Sequence, residues 1–308
     1  MELFAVSVQN IKKSYGKTVA LNDLSFNVEK GELFGIIGPD GAGKTTLFRI
    51  LATLLIADEG SAVVDGFDVA RDYKAIRQRV GYMPGRFSLY QDLTVEENLT
   101  FFASVFGTTI RENYHLIEDI YKQIEPFKTR RAGNLSGGMK QKLALCCALI
   151  HKPSVLFLDE PTTGVDPVSR KEFWQMLRRL QEQGITILVS TPYMDEATLC
   201  DRIALIREGE FLMTDTPRGI VGKFDKPLYA ASSDNMSHLL SDLRRMPEVE
   251  SCYAFGDVHH MVLVQENRIP ALENMLRENG HKEVDIHPIT ATVEDCFMAL
   301  NSTLMVNG

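Results

Sequence analysis

Residues 38–46 read GPDGAGKTT, and Gly38, Gly43, Lys44 and Thr45 satisfy the pattern G-x-x-x-x-G-K-[ST]. Each residue type there meets one need of a phosphate ligand. Successive backbone N–H groups converge on phosphate oxygens only where side chains leave the approach open, hence the glycines, Gly41 among them. The N-terminus of a following helix adds positive potential. Lys44 supplies a point charge to the β- and γ-phosphates. The Thr45 hydroxyl suits Mg²⁺, which takes few protein ligands and keeps its waters. Pro39, Asp40, Ala42 and Thr46 complete the loop. Such a cradle grips a nucleoside triphosphate.

A second pair of chemically able residues lies at 155–160, VLFLDE. Four apolar residues make a buried strand that delivers Asp159 and Glu160 to its C-terminal edge, where ligands of open parallel sheets bind. Asp159 would hold Mg²⁺ through the ion's water shell. Glu160 would orient or deprotonate the water that attacks the γ-phosphate. Alone, an acidic pair after an apolar run is commonplace. Downstream of a phosphate loop it becomes the expected second half of a phosphoryl-transfer site.

These residues need elements to hold them. Residues 2–8 and 19–28 alternate apolar and polar, as half-exposed strands do. Leu33–Ile37 is a short buried strand, followed by the glycine-rich turn and a helix predicted over Thr45–Leu55. Strand, turn and helix in that order begin a parallel α/β unit. The stretch from about 87 to 150 has helical spacing, with Thr94 and Glu97 fitting a capping box. Strands follow at 155–158 and 185–189, joined by a helix that carries Trp174, Leu177 and Leu180. After about Phe224 the pattern becomes strand 227–232, helix 235–246, strands 249–255 and 259–265, helix 268–279, strand 283–288 and helix 292–300. That βαββαβ order is ferredoxin-like.

Composition limits the function classes. The 308 residues are 44% apolar and 24% charged, an ordinary globular balance. The net charge of −8 and the scattered basic residues argue against a nucleic-acid partner. Five cysteines, at 146, 147, 200, 252 and 296, show no zinc-site spacing and read as thiols in a reducing compartment. The opening residues lack an apolar signal stretch, and no window is apolar enough to span a bilayer. Service to a membrane would therefore require docking on a separate subunit.

Residues 135–141 read LSGGMKQ, which closely resembles the signature motif of ABC ATPases. Together with LFLDEPTTGVDP at 156–167 the resemblance is specific, and it covers residues 1 to about 222. It implies a P-loop NTPase fold of the ABC ATPase type: a RecA-like core, an antiparallel β subdomain and a helical subdomain at about 87–150. Residues 223–308 would form a small α+β accessory or regulatory domain. Ser136, Gly137 and Gly138 open a helix to about Ile150, a second anion-binding helix end. In the family that turn closes on ATP held by the partner's phosphate loop, so ATP and Mg²⁺ lie between two subunits. Tyr15 resembles the aromatic residue that stacks on adenine, and Thr162–Asp166 resembles the loop that crosses the dimer seam. An integral-membrane transporter subunit is the expected partner, with the chain cytoplasmic and peripheral on the inner membrane face.

Two positions depart from the family pattern. GYMPG at 81–85 places Gly85 where a glutamine is expected near Mg²⁺ and the attacking water. Gln91 would substitute only if its loop folded back. STPYMDEA at 190–197 places Pro192 where a histidine is expected, and proline offers neither side-chain donor nor backbone N–H. Loss of a donor aimed at a reacting phosphoryl group costs ~3 kcal/mol, about 100-fold in rate. The implied site binds ATP and hydrolyses it slowly, and an asymmetric dimer with a fully equipped ABC ATPase is favoured over a tolerant homodimer.

ATVEDCFMAL at 291–300 is similar to the segment that ends many ATPases of drug, antibiotic and polysaccharide exporters, with Val293, Phe297 and Leu300 at helical packing positions. His259 and His260 lack an apparent third metal ligand and read as exposed or half-buried strand residues. The reading is thus an exporter ATPase subunit. A non-transport ABC-class regulatory protein is the alternative. Chromosome-organising ABC proteins are disfavoured because no heptad arm separates the two halves of the site.

Overall fold

The computed structural model describes residues 4–265 and 268–307. The chain divides into two compact units, 1–217 and 218–308. In the first, strands β1 (Phe4–Tyr15), β2 (Thr18–Glu29), β4 (Glu59–Val64) and β5 (Phe67–Asp68) form an antiparallel sheet in the order β2-β1-β4-β5. Residues 2 and 3 of the expected first strand lie outside the described residues. Val6, Val8 and Ile11 of β1 are buried. The period-two alternation breaks between Val8 and Ile11 because the register shifts there and Asn10 adopts a positive φ.

The second sheet runs β10-β9-β3-β8-β7-β6. Its strands are β3 (Leu33–Ile37), β6 (Val80–Met83), β7 (Val155–Asp159), β8 (Thr186–Thr191), β9 (Arg202–Arg207) and β10 (Glu210–Asp215). All neighbours are parallel except the β10–β9 edge. β3, β7 and β8 are buried along their whole length, which explains their near-continuous apolar runs. Helix α1 (Lys44–Leu51) joins the two sheets in one core with Phe34, Phe48 and Phe157. It ends four residues earlier than its apolar run predicts. Thr53 takes a positive φ, and the N–H groups of Leu54 and Leu55 both return to the Arg49 carbonyl, leaving Leu54 and Ile56 exposed.

Helix α2 (Tyr73–Arg77) precedes β6. A helical segment then carries α3 (Val95–Val105), α4 (Ile110–Tyr121) and α5 (Gly137–Leu149), and α6 (Pro167–Glu182) links β7 to β8. Thr94 and Glu97 form the complete capping box at α3, and Thr109 with Glu112 repeats it at α4.

Helix α7 (Pro217–Val221) leads into the second unit. There β11 (Leu228–Ser232), α8 (Met236–Leu243), β12 (Val249–Phe255), β13 (Val258–Leu263), α9 (Ile269–Glu278) and β14 (Asp285–Pro288) follow one another, and α10 (Val293–Asn307) ends the described chain. The sheet order β12-β13-β11-β14, antiparallel throughout, is that of a ferredoxin-like module. Its core joins Leu239 and Leu243 of α8 to Leu272 and Leu276 of α9. Val293 and Phe297 are buried. His259 is buried rather than half-exposed, its Nε2 held 2.6 Å from the Met236 carbonyl, and His260 Nδ1 pairs with Asp295 at 2.8 Å.

Candidate functional site

Strand register brings four chain exits together at the C-terminal edge of the parallel sheet. Ile37 lies opposite Thr191, Asp159 opposite Ser190, and Met83 opposite Leu158. The chain therefore leaves β3 into residues 38–46, β7 into Glu160, β8 into Pro192 and β6 into Gly85 along one rim.

The Gly38 N–H donates to the Thr191 carbonyl at 3.2 Å. A Cβ on Gly38 would lie 2.1 Å from the Ile206 carbonyl oxygen, and one on Gly43, at φ +102°, would lie 2.4 Å from the Ala20 carbonyl oxygen. Packing against neighbouring strands thus demands these two glycines independently of any phosphate. Pro39, Asp40 and Gly41 form the exposed crest, and Ala42 is buried with its carbonyl accepting the Gly209 N–H.

Gly43 N-caps α1 without a side chain, so no cap closes the amides of the first turn. Lys44 is 3% exposed; its Nζ donates to the Gly38 and Pro39 carbonyls at 2.8 and 2.9 Å and lies 3.1 Å from Glu160 Oε1. One ammonium therefore spans the loop and the carboxylate of Glu160, just after β7. Thr45 is exposed on the same turn and Thr46 is half-buried.

Asp159 is buried, with Oδ1 accepting from the Ser190 hydroxyl at 2.7 Å. Ser190 Oγ in turn accepts the Glu160 N–H at 3.0 Å, and the Ser190 carbonyl accepts it at 3.1 Å. Glu160 needs this double hold, because its φ of +49° is a left-handed conformation that costs a non-glycine residue ~1 kcal/mol or more. Sequence reasoning missed Ser190, whose signal was a hydroxyl closing the otherwise apolar strand ILVST. Tyr82 stands beside Asp159; burial, then the carboxylate, pushes its phenol up to about 12, so it stays neutral.

Glu196 is a second residue that pattern reading passed over. It is 1% exposed, accepts from Thr162 Oγ1 at 3.1 Å and from Thr191 Oγ1, and lies 3.6 Å from the Arg170 guanidinium. It fastens the segment after Glu160 to the end of β8.

A Cβ at Gly85 would lie 3.0 Å from the Asp159 carbonyl oxygen and 3.6 Å from Glu160 Cβ, so position 85 faces the carboxylate pair. Pro192 follows Thr191, the residue that anchors Gly38. Gln91 belongs elsewhere: its carbonyl accepts the Gly133 N–H at 2.9 Å, which ties it to the chain just before the signature turn.

Ser136 N-caps α5, its hydroxyl accepting from the Met139 N–H at 3.3 Å, and Ser136 and Gly137 are exposed. A Cβ at Gly137 would face the Gly164 carbonyl at 3.5 Å and one at Gly138 the Ser169 hydroxyl at 2.8 Å. Neither position has a phosphate-loop atom within 4 Å. Tyr15 is 49% exposed at the β1–β2 turn, on the hairpin whose second strand carries Ala20 against Gly43. All five cysteines are buried, and burial pushes the Cys252 thiol up to about 12 and that of Cys296 to about 11.

Comparison with known proteins places this geometry. Residues 21–163 match the family described as ABC transporter. The chain is 40% identical over 287 residues to the probable multidrug ABC transporter ATP-binding protein YbhF of Escherichia coli, covering 91% of this chain but 49% of that relative. It therefore spans about half the length of that protein. It is 39% identical over 224 residues to the Nod factor export ATP-binding protein I of Burkholderia lata, covering 72% of this chain and 74% of that one. Among solved structures, a dimeric ATP-binding cassette in a post-hydrolysis state with ADP and phosphate superposes with TM-score 0.63 at 27% identity, over 68% of this chain and 98% of that one. An ATP-binding subunit of an ABC transporter superposes with TM-score 0.65 at 26% identity, over 71% and 93% of the two chains. The loop at 38–46, the carboxylates that face it and these likenesses lead to one conclusion: the chain belongs to the ABC transporter ATP-binding family, and ATP is its nucleotide.

Proposed function

We propose that this chain is the ATP-binding subunit of an exporter, with a nucleotide site that holds ATP firmly and turns it over slowly. The observation that carries the reading is the unequal equipment of one sheet edge. Residues 38–46, Asp159 and Glu160 are all present there, while Gly85 and Pro192 bring no side-chain donor to the same rim. Export rests on the names of the relatives, a multidrug transporter protein and a Nod factor export protein.

In this reading the amides of Gly41–Thr46 and the Lys44 ammonium hold the β- and γ-phosphates. The Thr45 hydroxyl and the Asp159 carboxylate are an all-oxygen donor set suited to Mg²⁺, with one Asp159 oxygen already oriented by Ser190. When bound, that ion neutralises charge developing on the phosphoryl oxygens. Glu160 orients the attacking water and accepts its proton, and Tyr15 stacks on adenine. Exposed Ser136 and Gly137, with half-buried Gly138, open α5 and serve the nucleotide of a second ABC ATPase subunit. The impaired local site makes an asymmetric heterodimer the favoured assembly.

No helix among the described residues is long and apolar enough to cross a membrane. The chain would act at the cytoplasmic face through a separate integral-membrane subunit. A groove of about 510 Å³ lined by Leu54, Met83, Phe102, Val105 and Phe106 borders the segment that leaves β6, so an inserted apolar element would feel movement there. The unit at 218–308 would serve as an accessory or regulatory domain.

Two measurements test the reading. Purification from detergent-solubilised membranes should recover the chain with an integral-membrane subunit; a purely soluble complex would favour a regulatory role. Isolated chain should bind ATP with little turnover, and rapid turnover without a partner would remove the asymmetry argument.

A further inference from the structure

The ferredoxin-like unit holds a cluster that the nucleotide chemistry does not use. His238 and Asp242 lie one turn apart on α8 and share a face. His281 reaches them from the end of α9. There Gly280 takes φ +94°, its N–H donates to the Arg277 carbonyl, and the His281 N–H donates to the Leu276 carbonyl, both at 3.0 Å. That Schellman closure sets the histidine's position by backbone geometry. The next residue is clamped as well: the Lys282 N–H donates to Asp234 Oδ1 at 2.8 Å, and the Asp234 N–H returns to the Lys282 carbonyl at 3.1 Å.

His281 Nε2 lies 3.1 Å from Asp242 Oδ2, and His238 Nδ1 lies 3.7 Å from the same oxygen. The three ligand atoms all fall within 4.8 Å of one another. Zinc–nitrogen and zinc–oxygen bonds of about 2.0–2.1 Å at tetrahedral angles separate ligand atoms by about 3.4 Å. Two of the three separations bracket that value. The third, within 4.8 Å, adjusts by rotation of the His238 side chain, which is 56% exposed. His281 is the fixed ligand, with its side chain 1% exposed. Its Nδ1 lies 3.2 Å from Ser233 Oγ. With Nδ1–H donated to that hydroxyl, the ring presents an Nε2 lone pair to a cation beside Asp242; without an ion, the other tautomer donates Nε2–H to the carboxylate at the same 3.1 Å. A partner on the outer nitrogen that fixes ring and tautomer is the usual support of a metal-bound histidine.

We propose that His238, Asp242 and His281 form a binding site for a borderline divalent transition ion of the Zn²⁺ class, with Ser233 as the positioning residue for His281. Two imidazoles and one carboxylate favour such an ion over Mg²⁺ or Ca²⁺. Solvent enters on the His238 side and supplies the remaining coordination. A bound ion ties α8 to the end of α9.

The test uses the full chain, stripped of metal and free of nucleotide. Zn²⁺ is titrated against a chromophoric chelator, and Co²⁺ is followed by its visible absorption. The expected result is one tight equivalent of Zn²⁺ and a Co²⁺ spectrum that Zn²⁺ abolishes. His238→Ala, at an exposed position, should keep the metal-free melting temperature and lose this equivalent. Ser233→Ala should weaken it by about 10–100-fold. If wild type takes up no tight equivalent, the three side chains form only a hydrogen-bonded network and the proposal fails. If His238→Ala binds Zn²⁺ as tightly as wild type, the ion sits elsewhere and the proposal fails equally.

Discussion

The phosphate loop and the two loops that face it share one sheet edge and are built differently. Residues 38–46 are held from several sides: Gly38 against Ile206 and Thr191, Gly43 against Ala20, and Lys44 between two loop carbonyls and Glu160. The chain after β6 and after β8 reaches the same edge with Gly85 and Pro192, residues without a polar side chain. Grip on phosphate and activation of water are thus supplied by separate elements. One can be weakened while the other stands, because the phosphate loop is anchored through Thr191, Ile206 and Ala20 rather than through the side chains of residues 85 and 192.

The sharpest challenge to this contrast is Glu160→Gln. It should lower residual turnover by roughly 10²–10⁴-fold, the range for loss of a general base, and leave ATP affinity little changed, as read by single-turnover kinetics and nucleotide titration. An equal loss of both would merge the two halves. Gly85→Gln with Pro192→His should raise turnover about 100-fold. The glutamine Cβ must displace the Asp159 carbonyl by a few tenths of an ångström, so the pair is best assayed together with Pro192→His alone. No gain would place the limitation elsewhere. Lys44→Ala should weaken ATP binding by about 10–100-fold through loss of a charge-assisted contact, measured by fluorescent-nucleotide titration.

Ser190→Ala removes the hydroxyl that joins the Asp159 carboxylate to the Glu160 N–H and should cost about 1–3 kcal/mol of stability in denaturant unfolding, because buried Asp159 loses its donor. The smallest effect concerns His151, stacked on Phe106 at 3.8 Å, where burial lowers its pKa below 6.5. The folded chain then refuses a proton that the unfolded chain accepts. Stability should be undiminished above 6.5 and fall as pH drops from there toward the folded-state value. His151→Gln should flatten that slope in unfolding curves taken across the interval.

Much of the site was legible because its chemistry is local. The phosphate loop is one contiguous stretch whose glycines, lysine and threonine point to phosphate by spacing; the VLFLDE strand took its reading from that loop upstream, and the Ser136 turn from its resemblance to the family's signature motif. The capping box at Thr94 and the βαββαβ order were legible for the same reason, since each is a short-range pattern. Ser190 and Glu196 were not. A serine at the end of an apolar strand is unremarkable until register puts it opposite Asp159, and a glutamate in MDEA is a surface residue until Thr162 and Thr191 surround it. His238, Asp242 and His281 escaped notice for a similar cause, while the adjacent pair His259–His260 drew attention without sharing a partner.

From its sequence alone this protein is determined to be a nucleotide binder of the ABC class, since the residues that grip phosphate are consecutive and their backbone path follows from their types. Only the tertiary structure decided which distant residues meet them. The strand order β3-β8-β7-β6 interleaves segments far apart in the chain, and no local periodicity encodes that order. Long-range strand pairing therefore set Gly85, Glu160, Ser190 and Pro192 around one rim.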